Sequence, residues 1–252
     1  LGKNMAKSMK HWAESTKVVD KTRRGHLYTY TISDMGELIF SDKGDRYLQY
    51  SDTIWLLHYL MVTNHKKNAL WYYLFNCFGS EIFTKDSFIN SLKAWLARIE
   101  YPSIPNTKQL ERDFNCCMNM YCLNESKRKR SMDEYFTSPF NQLQLISENK
   151  GEYRLRRMSS LEISKEMFSF CLLDYLKNYP KNSDVPFSEI QHGEKSPGKV
   201  FNIVENTLVE YLESFVKMLN GTFEFESTAG MKTLFLLKEF PINYDKYLLL
   251  MT

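Results

Sequence analysis

Basic side chains near the start of the sequence have the types and spacing that suit phosphate binding. Lysines at positions 3, 7 and 10 share a predicted amphipathic helix, and a polar segment with further basic groups follows it. Phosphate contacts need Lys, Arg and amide groups on one surface. The residues that we predict to contact nucleic acid here are Lys3, Asn4, Lys7, Lys10, Lys21, Arg23, Arg24 and His26. The alternative is a solvated helix face followed by a polar turn.

A second basic group lies in the middle of the sequence. Its members are a run of four, Lys127, Arg128, Lys129 and Arg130, and three residues of a predicted hairpin, Arg154, Arg156 and Arg157. Such a run is often only a mobile loop, and Asp133 and Glu134 follow it at once, which dilutes the positive field. The third part of the sequence offers Lys195 and Lys199 beside several glutamates, which favours protein contact or core packing.

Other residues that could do chemistry lack the pattern that it needs. Cys116, Cys117 and Cys122 have no Cys-x-x-Cys pairing, which suits tetrahedral zinc, so we interpret them as core thiols. His58 lies in an apolar helical pattern and is interpreted as a hydrogen-bonded core residue. The sequence contains no phosphate loop, dinucleotide fingerprint, Gly-x-Ser-x-Gly or His-Glu-x-x-His motif. It therefore predicts no metal, no cofactor, and binding in preference to catalysis.

Composition and charge narrow the class of protein. The 252 residues are 43% hydrophobic and 15% aromatic, which is typical of globular domains. A net charge of +3 does not by itself indicate nucleic acid, so such a function depends on local patches. The five cysteines lack a disulfide spacing, which favours reduced thiols in a cytoplasmic protein. No apolar run reaches the roughly 18–20 residues that cross a bilayer, and the start without Met is expected to reflect a trimmed N-terminus.

One arrangement recurs three times along the sequence: an amphipathic helix followed by a short strand-forming hairpin. The predicted units are residues 1–42, 43–158 and 159–252. Helices followed by a two-stranded wing are the architecture of the winged helix, a variant of helix-turn-helix. The predicted fold class is mainly α with short β-hairpins, an α+β fold of tandem winged-helix-like units.

Caps, breakers and periodicity predict the individual elements. In the first unit they are a helix from Asn4, a polar turn over 21–26 and a strand over 27–32. In the second they are helices over 54–62 (capped by Ser51 or Asp52) and 67–78, helices beginning at Thr84 and at Asn106 or Thr107, and a hairpin within 143–157. In the third they are a helix capped by Ser164, a short connector over 185–190, one long helix over 197–219 and a hairpin within 223–237.

Four segments together resemble a known family. They are Leu1–Met5 with Lys10–Trp12, Trp55–Leu60, Trp71–Asn76 and Leu110–Asp113. Their order and spacing resemble the bacterial domain-of-unknown-function 4007 family. Its genes often lie beside DNA phosphorothioation genes, in defence clusters that contain sulfurtransferases. The resemblance covers nearly the whole chain and departs most around 125–135; it implies a genomic neighbourhood and transfers no catalytic residue.

Together these observations predict a non-catalytic DNA-binding adaptor in a bacterial DNA-modification (phosphorothioation-like) or defence system, with double-stranded DNA as its partner. The alternative is a scaffold that docks a sulfurtransferase or another product of the same gene cluster without touching DNA. A third hypothesis, an uncharacterised enzyme, rests only on the family having no assigned reaction.

Overall fold

Local capping signals set where several helices begin. Thr84 Oγ1 accepts a hydrogen bond from the Ser87 N–H at 3.3 Å, and Asn106 and Ser164 cap the next helices in the same way. The caps predicted at Thr84 and Ser164 are confirmed, and of the two starts predicted for the helix at 106–107, Asn106 is the cap and Thr107 the first helical residue. The cap predicted at Ser51 or Asp52 is wrong, because the helix already begins at Ser51. The Asp52 carboxylate instead accepts a hydrogen bond from the Ser164 N–H at 3.1 Å, across two segments of the chain.

The computed structural model describes residues 2–25, 27–122, 138–180, 184–228 and 231–238. The predictions for His26 and for Lys127, Arg128, Lys129 and Arg130 fall outside the described residues, as does the side chain of Arg24. Within the described ranges, no helix is long and apolar enough to cross a membrane. The chain has a mixed α+β fold with small antiparallel sheets.

The first segment folds as a helix, a hairpin and a second helix. Its elements are α1 (Lys3–Ser15), β1 (Val19–Arg24), β2 (Leu27–Ile32) and α2 (Asp34–Phe40). Gly25, at the hairpin turn, has a φ of +62°, which glycine adopts without strain. The predicted polar turn over 21–26 is too long, since its first four residues belong to β1.

The second segment contains four helices and a three-stranded sheet. Its main elements are α3 (Ser51–Val62), α4 (Ala69–Tyr72), β3 (Ile82–Thr84), α5 (Lys85–Arg98), α6 (Thr107–Tyr121), β4 (Ile146–Asn149) and β5 (Glu152–Leu155). A π-helical turn over 73–77 continues α4, and a 3₁₀ turn over 139–143 precedes β4. The sheet order is β3-β5-β4, so the second strand of the hairpin pairs with the strand before α5.

The third segment repeats that order of elements. They are α7 (Lys165–Lys177), β6 (Val185–Pro186), α8 (Phe187–His192), α9 (Pro197–Val200), α10 (Glu205–Met218), β7 (Phe223–Thr228) and β8 (Met231–Leu236). Its sheet order, β6-β8-β7, matches that of the second segment. In both segments a short strand precedes a run of helices, which are α5 and α6 in the second and α8, α9 and α10 in the third, and a hairpin then pairs back onto that strand. The predicted connector over 185–190 is thus a strand and a helix.

The single long helix predicted over 197–219 is wrong, because the chain breaks between α9 and α10. Asn202 takes a left-handed φ of +51° in the break. Its carbonyl accepts from the Met158 N–H at 2.9 Å, and the Met158 carbonyl accepts from the Val204 N–H at 2.9 Å. This short parallel bridge joins the end of the second segment to the third.

The buried side chains of all three segments form one hydrophobic cluster, from Val18 to Leu234. His58 of α3 lies inside it and is fully buried. Its Nδ1 lies 2.7 Å from the Tyr121 hydroxyl of α6, and its Nε2 lies 3.2 Å from the Val200 carbonyl of α9. The prediction of a hydrogen-bonded core histidine is confirmed.

Candidate nucleic-acid interface

Helix α1 presents a row of lysines on its solvent side. Lys3, Lys7 and Lys10 follow one another at spacings of four and three residues, which places them along one face, and all three are exposed. The opposite side carries Trp12, whose ring lies 5.5 Å from that of Trp71 in an edge-to-face contact. The apolar contact fixes the helix, and the lysine row is left facing water.

The hairpin after α1 places basic and aromatic side chains on one face. In its register Lys21 lies opposite Tyr30 and Arg23 opposite Tyr28. The Lys21 ammonium lies 4.3 Å from the centre of the Tyr28 ring, and the Arg23 guanidinium lies 5.9 Å from it. Directly opposite residues of an antiparallel pair share a face, so these contacts follow from the register.

The helix and the hairpin converge on Tyr30. The ammonium of Lys10 lies 5.3 Å from the centre of that ring, and the ammonium of Lys21 lies 5.5 Å from it. A hydrogen bond with Tyr30 is the main cause of a raised pKa for Lys21. The lysine row and the hairpin therefore form one continuous surface of cations around two tyrosines, which we call the basic face (Lys3, Lys7, Lys10, Lys21 and Arg23).

Glu14 anchors the basic face to the rest of the protein. Its side chain is only 8% exposed; one carboxylate oxygen lies 3.5 Å from the Lys21 ammonium, and the other pairs closely with Lys67. Burial by itself raises the pKa of Glu14. The hydrogen bond and charge of Lys67, together with the charge of Lys21, outweigh that effect, so the pKa of Glu14 is lowered from its ordinary value. Glu14 is thus held as a carboxylate that ties the hairpin to α1.

The arginines of the second hairpin differ in their surroundings. Arg154 is exposed on β5, and Arg157 is more than half exposed beside Glu81, at 3.2 Å. Arg156 donates to the carbonyls of residues 143 and 144 at 2.8 and 2.9 Å and forms a two-pronged pair with Glu162. Because its donors are used inside the protein, Arg156 has a structural role and is left out of the proposed interface.

Replacing Arg156 by alanine should therefore lower the free energy of unfolding by about 2–3 kcal/mol, because two carbonyls and the Glu162 carboxylate lose charge-assisted partners. Replacing Arg154 by alanine is the matched control and should change stability by no more than about 0.5 kcal/mol. Urea denaturation of the two variants and the parent measures both values. Equal, small effects would contradict the structural role of Arg156.

Sequence reasoning missed a polar row on α6. Lys108, Arg112 and Asn115 are exposed at spacings of four and three residues. The helical spacing of these residues is visible in the sequence, on the side of α6 opposite the buried stripe that includes Leu110 and Phe114. Arg and Asn are the side chains that make bidentate hydrogen bonds to guanine and adenine.

The helix at the corresponding place in the third segment exposes mainly acidic side chains. Both α6 and α10 are the last α-helix that the structure describes before a hairpin, but the exposed side of α10 carries Glu205, Glu210 and Glu213. Glu205 is paired with Lys232 of β8. Among the exposed side chains, α6 therefore carries two cations, with Glu111 and Asp113 half-buried, whereas α10 carries three carboxylates and Lys217.

The cysteines do not gather into a metal site in the part of the chain that the structure describes. Cys117, Cys122 and Cys171 are buried, as expected for core thiols, whereas Cys77 is half-buried and Cys116 is exposed. No group of three or more His, Cys, Asp or Glu side chains within the described ranges could hold a metal ion.

The fold is that of a mixed α+β protein, with a helix and hairpin that expose cations beside two copies of a strand, helices and hairpin arrangement. The fold is similar to that of two crystal structures, of SspB and of magnesium ion-bound SspB, with TM-scores of 0.83 and 0.82. The sequences are 18% and 19% identical, and each comparison covers 94% of this chain and 72% of the SspB chain. No curated protein sequence gives a significant match.

The chain belongs to the DUF4007 family, proteins of unknown function, whose model matches residues 1–249. The family membership expected from the Trp- and Tyr-rich segments is thereby confirmed.

Proposed function

We propose that this protein is a DNA-binding component of a DNA-modification or defence system. The observation that carries the proposal is the convergence of Lys10 from α1 and Lys21 from β1 on the ring of Tyr30. Cations interleaved with aromatic rings on one surface suit a nucleic-acid backbone and its bases. The link to DNA modification comes from the gene neighbourhood that the family resemblance implies.

In this proposal the second segment (within residues 43–158) and the third segment (within residues 159–252) are each a winged-helix unit. The repeated sheet orders β3-β5-β4 and β6-β8-β7 support it. The helix before the wing would be α6, and its exposed Lys108, Arg112 and Asn115 would face the DNA in the second unit. Arg154 and Arg157 of the β4–β5 hairpin would contact the backbone beside it.

The test is a titration of duplex DNA at two salt concentrations. A variant with Lys3, Lys10 and Arg23 all replaced by alanine should bind roughly ten- to a hundredfold more weakly and show a salt slope smaller by about 2–3, since each lost phosphate contact removes about 0.9. Replacing Lys108 and Arg112 by alanine tests α6 in the same assay and should also weaken binding.

A charge-matched control separates the basic face from net charge. Replacing Lys165, Lys177 and Lys217 by alanine removes the same three charges from exposed positions of the third segment. This control should keep the parent affinity and slope. The proposal fails if the parent shows no salt-dependent affinity, or if both triple variants lose affinity equally.

The acidic side of α10 favours a second candidate function, docking of a protein partner. Glu205, Glu210 and Glu213 repel a phosphate backbone and suit a basic protein surface. A sulfurtransferase of the same gene cluster is the partner that the family neighbourhood suggests. Reversing the charge of Glu210 and Glu213 to Lys should abolish capture of that enzyme from DNA-free extract without weakening DNA binding.

A further inference from the structure

A cleft of about 540 Å³ opens between α1 and the second segment. Its walls come from α1, from residues 67–71 around the start of α4, and from α5 and α6. Lys7 and His11 line it from α1, and Gln109, Asp113 and Cys116 line it from α6. A cleft of this size takes a ligand of a few dozen atoms.

Two buried polar atoms at the cleft have no hydrogen-bond partner among the described residues. Asn68 is 1% exposed and Trp71 is 6% exposed, and both residues line the cleft. The Asn68 Oδ1 and the Trp71 Nε1 make no hydrogen bond to any group that the structure describes, although the Asn68 amide nitrogen donates to the carbonyls of Ser15 and Met61. Buried polar groups are nearly always paired, so an unpaired acceptor and an unpaired donor three residues apart indicate a ligand that offers both.

The other lining groups restrict what that ligand is. Trp12, Trp71 and Tyr101 supply aromatic walls, which suit a flat ring. Lys7 and Lys67 supply positive charge at the same cleft. Lys67 also pairs with Glu14, but an ammonium has three N–H donors, which leaves donors for a phosphate. Asp113 is the opposing group at the cleft, and burial is the main cause of its raised pKa. An aromatic ring with a donor and an acceptor on one edge, attached to an anion, describes a nucleotide.

We propose that this cleft binds one nucleotide, with its base held against the aromatic walls and paired to Asn68 Oδ1 and Trp71 Nε1, and with its phosphate at Lys7 and Lys67. The same chemistry comes from a free mononucleotide or from a nucleotide unstacked out of a DNA strand. The site shares Lys7 with the basic face, but it is a different proposal from duplex binding, because a mononucleotide tests it without any duplex.

The first experiment titrates the full chain with the four deoxynucleoside monophosphates and their unphosphorylated nucleosides. Tryptophan fluorescence reports binding, because Trp12 and Trp71 line the cleft. Saturable quenching below about 1 mM is expected for at least one monophosphate. In parallel, a short single-stranded oligonucleotide and its copy with one abasic site are titrated. Weaker binding of the copy with the abasic site would identify a nucleotide of the DNA strand, rather than a free mononucleotide, as the ligand.

Lys7→Ala is the informative variant because the side chain is exposed and folding should not depend on it. It should weaken monophosphate binding about tenfold and leave nucleoside binding unchanged. Lys66→Ala is the matched control and should change neither, because Lys66 is exposed next to Lys67 but lies outside both the cleft lining and the basic face. Trp71→Phe removes the N–H and keeps an aromatic wall; it should weaken both ligands about tenfold.

Two results would overturn the proposal: no quenching by any monophosphate or oligonucleotide at millimolar concentration, or binding that is insensitive to both Lys7→Ala and Trp71→Phe. If only duplex binding fails, the proposed function is contradicted but the nucleotide site is not, because the mononucleotide titrations contain no duplex.

Discussion

Replacing His58 by alanine should lower the free energy of unfolding at pH 7.5 by about 3–5 kcal/mol, the range for emptying a large buried site. The ring is fully buried, and its loss leaves the Tyr121 hydroxyl and the Val200 carbonyl without these partners. Both groups then bear a desolvation cost in addition to the cavity. Because the three groups belong to α3, α6 and α9, the variant loosens the contact between the second and third segments.

Denaturant titration of the parent and the variant measures this loss. His65→Ala is the matched control, since His65 is exposed, and it should change stability by no more than about 0.5 kcal/mol. A loss below about 1 kcal/mol for His58→Ala would mean that the core closes over the missing ring and that the two hydrogen bonds contribute little.

The same residue should make folding sensitive to acid. Burial lowers the pKa of His58 to about 4 from an ordinary 6.5, and the Val200 carbonyl opposes only part of that shift. The unfolded chain therefore binds the proton more tightly, so the stability from neutral His58 is complete above pH 6.5 and lost as the pH falls toward 4. Between pH 7.5 and pH 5 the loss is about 2 kcal/mol. His58→Gln should remove that part of the pH dependence; an unchanged slope would contradict the assignment.

Replacing Gly36 by alanine should lower the free energy of unfolding by about 2–3 kcal/mol and weaken DNA binding in the same variant. A Cβ at this position of α2 would lie 2.1 Å from the Val18 carbonyl oxygen and 2.7 Å from an Ile32 side-chain carbon. The Val18 carbonyl also accepts from the Ser33 N–H at 3.1 Å. Relief of the clash must therefore move the base of the hairpin, and with it Lys21 and Arg23 of the basic face.

Gly79→Ala is the control for Gly36→Ala, since nothing lies within 4 Å of a Cβ built at Gly79. It should leave both stability and DNA affinity close to those of the parent. Denaturant titration and the duplex titration measure the two properties. Unchanged stability in Gly36→Ala would show that α2 can shift without moving the hairpin.

The features that could be predicted from the sequence are those determined by residues close together in the chain. Thr84, Asn106 and Ser164 are N-caps by virtue of their own side chains, and the turn of the second hairpin contains Gly151, which takes a left-handed φ of +85° without strain. His58 could be assigned to the core because apolar residues surround it in the sequence.

The elements that could not be predicted depend on distant partners. Strands β3 and β6 have three and two residues, too few to show alternation, and each exists because β5 or β8 pairs with it. The break between α9 and α10 was hidden because Val200 and Ile203 stay buried on either side of Asn202. The bridge to Met158, forty-odd positions earlier, creates that break.

The candidate site also has one part that the sequence predicts and other parts that depend on residues distant in the chain. The lysine row of α1 follows from helical spacing, and its prediction needed nothing beyond the sequence. The meeting of Lys10 and Lys21 at Tyr30 depends on how the hairpin folds against α1. The cleft is assembled from residues 7–12, 67–71 and 92–116, and no single segment carries a signal for it.

The bridge at Met158 bears on how modular this protein is. The boundary predicted between the second and third units falls on Met158, which is fully buried and hydrogen-bonded on both sides to the break between α9 and α10. A gene fragment ending there would expose that side chain, and the fragment beginning there would lose its bridge. The two repeats are therefore not parts that recombination could shuffle singly, and a new arrangement of them must inherit both together.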